Sequence, residues 1–122
     1  MKDRLRLLQQ ANVISEASAS ACLRAHALLQ TQLGAAIDSE QYQMALTHLA
    51  RAFDRIRANE PIEQGLDPEL LSEITADPAF EAIATLNQNV LTTLALEAVP
   101  DSENSYFLSN LLSLHYAMAE KV

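Results

Sequence analysis

With 122 residues the chain fits a single domain, long enough to bury roughly two-thirds of the surface its unfolded form exposes. Its composition is 49% hydrophobic and 20% charged with two glycines, which excludes a low-complexity chain and favours helix over sheet. Formal net charge is −8, unevenly spread: residues 1–57 hold seven Lys/Arg against five Asp/Glu, whereas residues 58–122 hold eleven acids and Lys121 alone, so direct nucleic-acid binding is not expected.

The N-terminus MKDRLRLLQQ mixes charges into its apolar residues, has no continuous apolar region and does not read as a secretory signal. No run approaches a membrane span, so no membrane association is expected. Cys22 stands alone, which rules out an intramolecular disulfide and fits a cytoplasmic protein.

In chain order, DRLRLLQQANVI places Leu5, Leu8 and less regularly Val13 on one side of a short opening helix. Ser15 is placed to cap a second helix from Glu16 to Leu33, with Ala21 and Leu28 on its buried side and Gly34 as its stop. Asp38 with Gln41 has capping-box spacing ahead of the stripe Tyr42, Leu46, Leu49, Phe53 and Ile56, and Pro61 closes that third helix. Two Asp-Pro pairs then act as starts, because proline at the first helical position loses no bond. Asp67-Pro68 opens a short helix to about Thr75, and Asp77-Pro78 a longer one to about Leu96. After Pro100 a last helix runs from about Ser102 to Glu120 on the stripe Phe107, Leu111, Leu114 and Met118. The expected fold is all-α, a compact bundle of five to six helices.

Little in this pattern carries enzyme chemistry. Cys22 and His26 share a helix face at i, i+4, but two ligands do not close a metal site, and no metal or other cofactor is expected. Asp101 and Glu103 are the carboxylates a helix dipole favours at its start. There is no glycine-rich phosphate loop, serine elbow or zincin motif. Among the three histidines, His48 stands out. It lies beside the apolar stripe of LTHLARAFDRI with Ala52 and Arg55 along the same flank.

LTHLARAFDRI resembles the first histidine motif of the PRD, the phosphotransferase-system regulation domain, whose helix carries His with Arg seven residues later. The likeness extends through LGAAIDSEQYQMALTHLARAFDRI, which is similar to the family's loop and histidine helix. LDPELLSEITADPAFEAIATL resembles its helix–Pro–helix region, and PDSENSYFL the acidic start of its last helix. These segments, in the family's order, run from Leu33 to Leu108 and the similarity is extended along the last helix to about Met118, so the division expected is an N-terminal helical segment over 1–32 and a PRD-like core over 33–118 within one domain.

The resemblance implies a cytoplasmic, non-enzymatic regulatory domain that forms homodimers and controls sugar-utilisation genes. Its histidines exchange phosphate with the phosphocarrier protein or a sugar-transporter subunit of the phosphotransferase system. Residue by residue, His48 matches the first phosphorylatable histidine and Arg55 its arginine. The second family histidine lies seven residues after the acid that starts the last helix; counted from Glu103, that position holds Asn110, which cannot take phosphate but can still hydrogen-bond in the same pocket.

Phosphate on His48 would add close to two negative charges beside the stripe, able to shift the packing of a dimer. Arg55 would pair with it by folding back about one helical pitch, or else serve a neighbour. The chain carries neither an RNA-binding nor a helix-turn-helix module, so it is expected to act through another protein, such as an operon regulator. The alternative is a helical dimerisation or scaffold protein that keeps the fold without the phosphorylation.

Overall fold

The computed structural model describes residues 1–33, 39–96 and 98–119. Their order is α1 (Lys2–Gln10), α2 (Glu16–Leu33), α3 (Glu40–Arg57), α4 (Pro68–Ala76), α5 (Phe80–Thr93) and α6 (Asp101–Ala119), six helices and no strand among the described residues. The all-α bundle expected from composition and periodicity is the fold observed. α2 packs on α1, α3 and α5, and α6 packs on α3, α4 and α5.

Two starts follow the sequence. Ser15 Oγ accepts from the Ser18 N–H at 3.0 Å and caps α2. Asp54 of α3 then clamps that cap, accepting from Ser15 N at 2.8 Å and from Ser15 Oγ at 2.5 Å. Asp67 accepts from the Glu69 N–H at 2.8 Å, with Pro68 in the first turn of α4. The third start falls elsewhere: α3 is capped by Ser39, whose side chain accepts from Tyr42 N at 3.1 Å, while Asp38 and the Gly34 stop lie outside the described residues.

Three helix ends differ from expectation for a shared reason. The opening helix stops at Gln10, so that Val13 is exposed and Ile14 is buried in its place. α3 stops at Arg57, before Pro61, and α5 stops at Thr93. The stops carry the left-handed residues Asn12 (φ 62), Asn59 (φ 59) and Ala95 (φ 59). In each, an N–H reaches a carbonyl five residues back: Val13 to Leu8, Glu60 to Arg55 and Leu96 to Leu91. α5 also begins later than the Asp77-Pro78 pair predicts, at Phe80, because Asp77 ends α4 and folds its carboxylate onto the Ala79 N–H at 2.8 Å, making a turn before the helix.

The stripes are buried as expected at Tyr42, Leu46, Leu49 and Phe53 of α3 and at Phe107, Leu111 and Leu114 of α6, with Ile56 half-buried; the Met118 side chain lies outside the described residues. On α2 the buried face is made of small side chains, Ser18, Ala21, Cys22 and Ala25, completed by Leu29. Burial pushes the Cys22 thiol up to about 12, so it behaves as a small apolar residue.

The connection from α3 to α4 is strapped onto the first turn of α6. Ser102 Oγ donates to the Ile62 carbonyl at 2.7 Å and Leu66 N–H donates to Ser105 Oγ at 3.0 Å. Gly65 permits this approach, since a Cβ there would sit 3.0 Å from Ser102 Cα.

Farther along α6, the Tyr116 hydroxyl donates to the Asp77 carboxylate at 2.7 Å. That bond first, and the Ala79 N–H second, hold the Asp77 carboxyl below its ordinary range. A carboxyl depressed in the folded state adds stability above its unfolded pKa and loses it as pH falls through the folded value. Tyr116→Phe is therefore expected to return Asp77 toward its ordinary titration and to remove that share of the acid sensitivity. A carboxyl-carbon NMR titration of Asp77 checks this; an unmoved curve would refute the tie.

Candidate functional site: a cleft between α3 and α6

α3 and α6 run antiparallel, and an ion pair between them fixes their register. Arg55, in the last turn of α3, donates from Nε to Glu103 Oε2 and from Nη2 to Glu103 Oε1, each at 2.9 Å. Glu103, in the first turn of α6, also accepts from the Ile62 N–H at 3.3 Å. Its side chain is 1% exposed against 36% for Arg55, so the carboxylate is buried and the guanidinium closes over it from the solvent side. The hydrogen bond to Glu103 raises the Arg55 pKa above its ordinary range.

From that anchor, seven residues back along α3 lies His48 and seven forward along α6 lies Asn110. Seven residues are about two turns, so each stands on the same face of its helix as its member of the ion pair, about 10 Å away along the axis. One cleft of about 380 Å³ is lined by His48, Ala52, Arg55, Glu103, Tyr106 and Asn110, with Ile62 and Phe107 behind them. A second groove continues past the same histidine, between Gln41, Met44 and Ala45 of α3 and Asn110 and Ser113 of α6.

All four residues singled out in the sequence, His48, Arg55, Glu103 and Asn110, therefore meet in one place. His48 is exposed, and neither its ring nor the Asn110 amide is hydrogen-bonded to another described residue. Under Asn110 a cavity of about 30 Å³ is lined by apolar side chains and by Asn87, whose Oδ1 is buried without a partner while its amide donates to Asn104 Oδ1 at 2.8 Å.

Glu103, expected to be a dipole-favoured carboxylate at a helix start, is also the buried counter-charge of Arg55, a pairing across 48 residues of sequence that no local spacing reveals. Of the two outcomes expected for Arg55 the second is the one observed: it serves this neighbour and does not fold back toward His48.

The other histidines sit apart from the cleft's lining. His115 is half-buried on α6 with its ring edge-on to Tyr116 at 5.2 Å. His26 is half-buried, its Nδ1 hydrogen-bonded at 2.7 Å to the hydroxyl of Tyr42, which burial pushes above its ordinary titration range. Among the described residues no group of three or more His, Cys, Asp or Glu side chains is arranged to hold a metal ion, and no helix is long and apolar enough to cross a membrane.

The chain is 38% identical over 122 residues, the full length of both proteins, to the uncharacterized protein YhfY of Escherichia coli strain K12. No family model matches it, and no solved structure matches it.

Proposed function

The chain belongs to the family of YhfY, and we propose that it is a non-enzymatic cytoplasmic regulatory domain of the PRD type in which His48 gains and loses a phosphoryl group. The observation that carries this reading is the convergence of His48, Arg55, Glu103 and Asn110 on one open cleft, with the His48 ring exposed and unbonded. An acceptor histidine must be reachable by a donor protein and must keep a ring lone pair free, and this ring meets both needs.

The donor is a phosphohistidine on the phosphocarrier protein or on a sugar-transporter subunit. A ring nitrogen of neutral His48 attacks phosphorus, the donor's N–P bond breaks, and the proton from the second nitrogen of His48 ends on the departing imidazole. The product carries close to two new negative charges at the α3–α6 seam. In a homodimer that packs through this face, the new charge shifts the balance between two arrangements, and a partner such as an operon regulator reads the result. One observation favours a second reading, a scaffold that keeps the fold without the chemistry: the arginine of the motif is already committed to Glu103.

Incubation with phosphocarrier protein, the first phosphotransferase enzyme and labelled phosphoenolpyruvate separates the two. The expected result is one label per chain, abolished in His48→Ala and retained in His115→Ala. His48→Asp, which carries a fixed charge, should differ from His48→Ala in sedimentation. A wild-type chain that stays unlabelled, or label that survives His48→Ala, sinks the regulatory reading.

A further inference from the structure

A phosphoryl group on His48 needs hydrogen-bond donors, and among those lining the two grooves Arg55 and Asn110 stand in different states. Arg55 lies about two turns along α3 from His48 and spends Nε and one Nη2 hydrogen on Glu103. Swinging the guanidinium toward His48 would leave a carboxylate 1% exposed with the Ile62 N–H at 3.3 Å as its remaining partner. Stranding a buried charge costs more than a solvent-screened phosphate contact returns. Asn110 has no such commitment. It lines both grooves that His48 lines, in the register set by the ion pair, and its amide is bonded to no described residue.

We propose that the Asn110 side-chain amide is the hydrogen-bond donor that holds the phosphoryl oxygens on His48, so that the cleft keeps one phosphohistidine bonded from α3 across to α6. The proposal rests on His48 being the acceptor. Asn110 is a positioning residue: it neither gains nor loses a proton in the transfer, in which the N–P bond made at His48 replaces the one broken in the donor. A carboxamide offers two N–H donors and cannot itself accept phosphate, so the cleft stops at a single phosphate while its two helices are tied together. Arg55 and Glu103 act at a distance, as the clamp that sets which residues of α3 and α6 face each other.

The test is an equilibrium that needs no protein partner. Full-length wild type, Asn110→Ala and the isosteric Asn110→Asp are each equilibrated with phosphoimidazole and imidazole, and phosphate on His48 is quantified by peptide mass spectrometry. One charge-assisted hydrogen bond corresponds to an equilibrium constant on the order of tenfold lower in Asn110→Ala. A greater fall is expected in Asn110→Asp, whose carboxylate repels the phosphoryl group. Asn110→Asp preserves side-chain shape, so the comparison survives if Asn110→Ala folds poorly. Equal constants in all three proteins overturn the role of Asn110 and leave His48 an acceptor. Absence of phosphate on wild-type His48, here and with the phosphocarrier, overturns both.

Discussion

Glu103→Leu is expected to lower the free energy of unfolding by about 3 kcal/mol, measured by denaturant titration. The substitution removes both acceptors of the Arg55 fork, at 2.9 Å each, and the acceptor for Ile62 N–H. Truncating one member of a fully buried pair costs roughly 3–5 kcal/mol. The lower end applies here because Arg55 is 36% exposed, and water recovers part of its solvation.

The double variant Arg55→Met/Glu103→Leu should recover much of the loss, since two apolar side chains of similar volume strand no charge. A single substitution that costs under about 0.5 kcal/mol would show that the pair does not anchor α3 to α6. The same comparison bears on the cleft. If the clamp sets the register, Glu103→Leu should alter His48 and Asn110 resonances about 10 Å away along the helices, as well as the first turn of α6.

How much of this was legible in the sequence depended on whether the signal was local. α2 ran from Glu16 to Leu33 as its capping serine and apolar spacing required, and Asp67-Pro68 started α4. The missed stops had signals of their own: the strings QANV and RANE each place asparagine where the chain turns left-handed, a role glycine usually fills and this glycine-poor chain assigns elsewhere. Ala95 in the same conformation had no such mark, because alanine gains nothing from it that spacing could show.

The cleft was legible by arithmetic on two helices. A separation of seven residues keeps His48 and Arg55 on one face, and the same separation keeps Glu103 and Asn110 on another. That the two faces meet, and that Arg55 pairs with Glu103, is a tertiary fact that neither helix states. The expectation for Arg55 therefore held two outcomes, and burial of Glu103 decided between them. Leaving that carboxylate unpaired costs more than any solvent-exposed alternative use of the guanidinium returns.

Ala50→Leu is expected to destabilise the protein by about 3 kcal/mol, at the upper end for overpacking a tight core. Ala50 is 0% exposed, and its carbonyl accepts from Ser18 Oγ of α2 at 2.6 Å, so a short side chain of α2 reaches the α3 backbone at this point. The stripe facing it on α2, Ser18 with Ala21, Cys22 and Ala25, is equally buried and has no long side chain that could swing aside. Extra carbons there must push α2 from α3, break the Ser18 bond and loosen the Asp54 clamp on Ser15. The contact also fixes how α3 is rotated: with Ala50 and Phe53 turned inward, His48 is turned out to the cleft. Ala50→Leu should therefore lower the midpoint of thermal unfolding by roughly 10 °C or more and broaden the His48 ring signals in the same sample. A variant that melts within about a degree of wild type would mean that α2 and α3 are not tightly packed at Ala50, and that the outward pose of His48 has another origin.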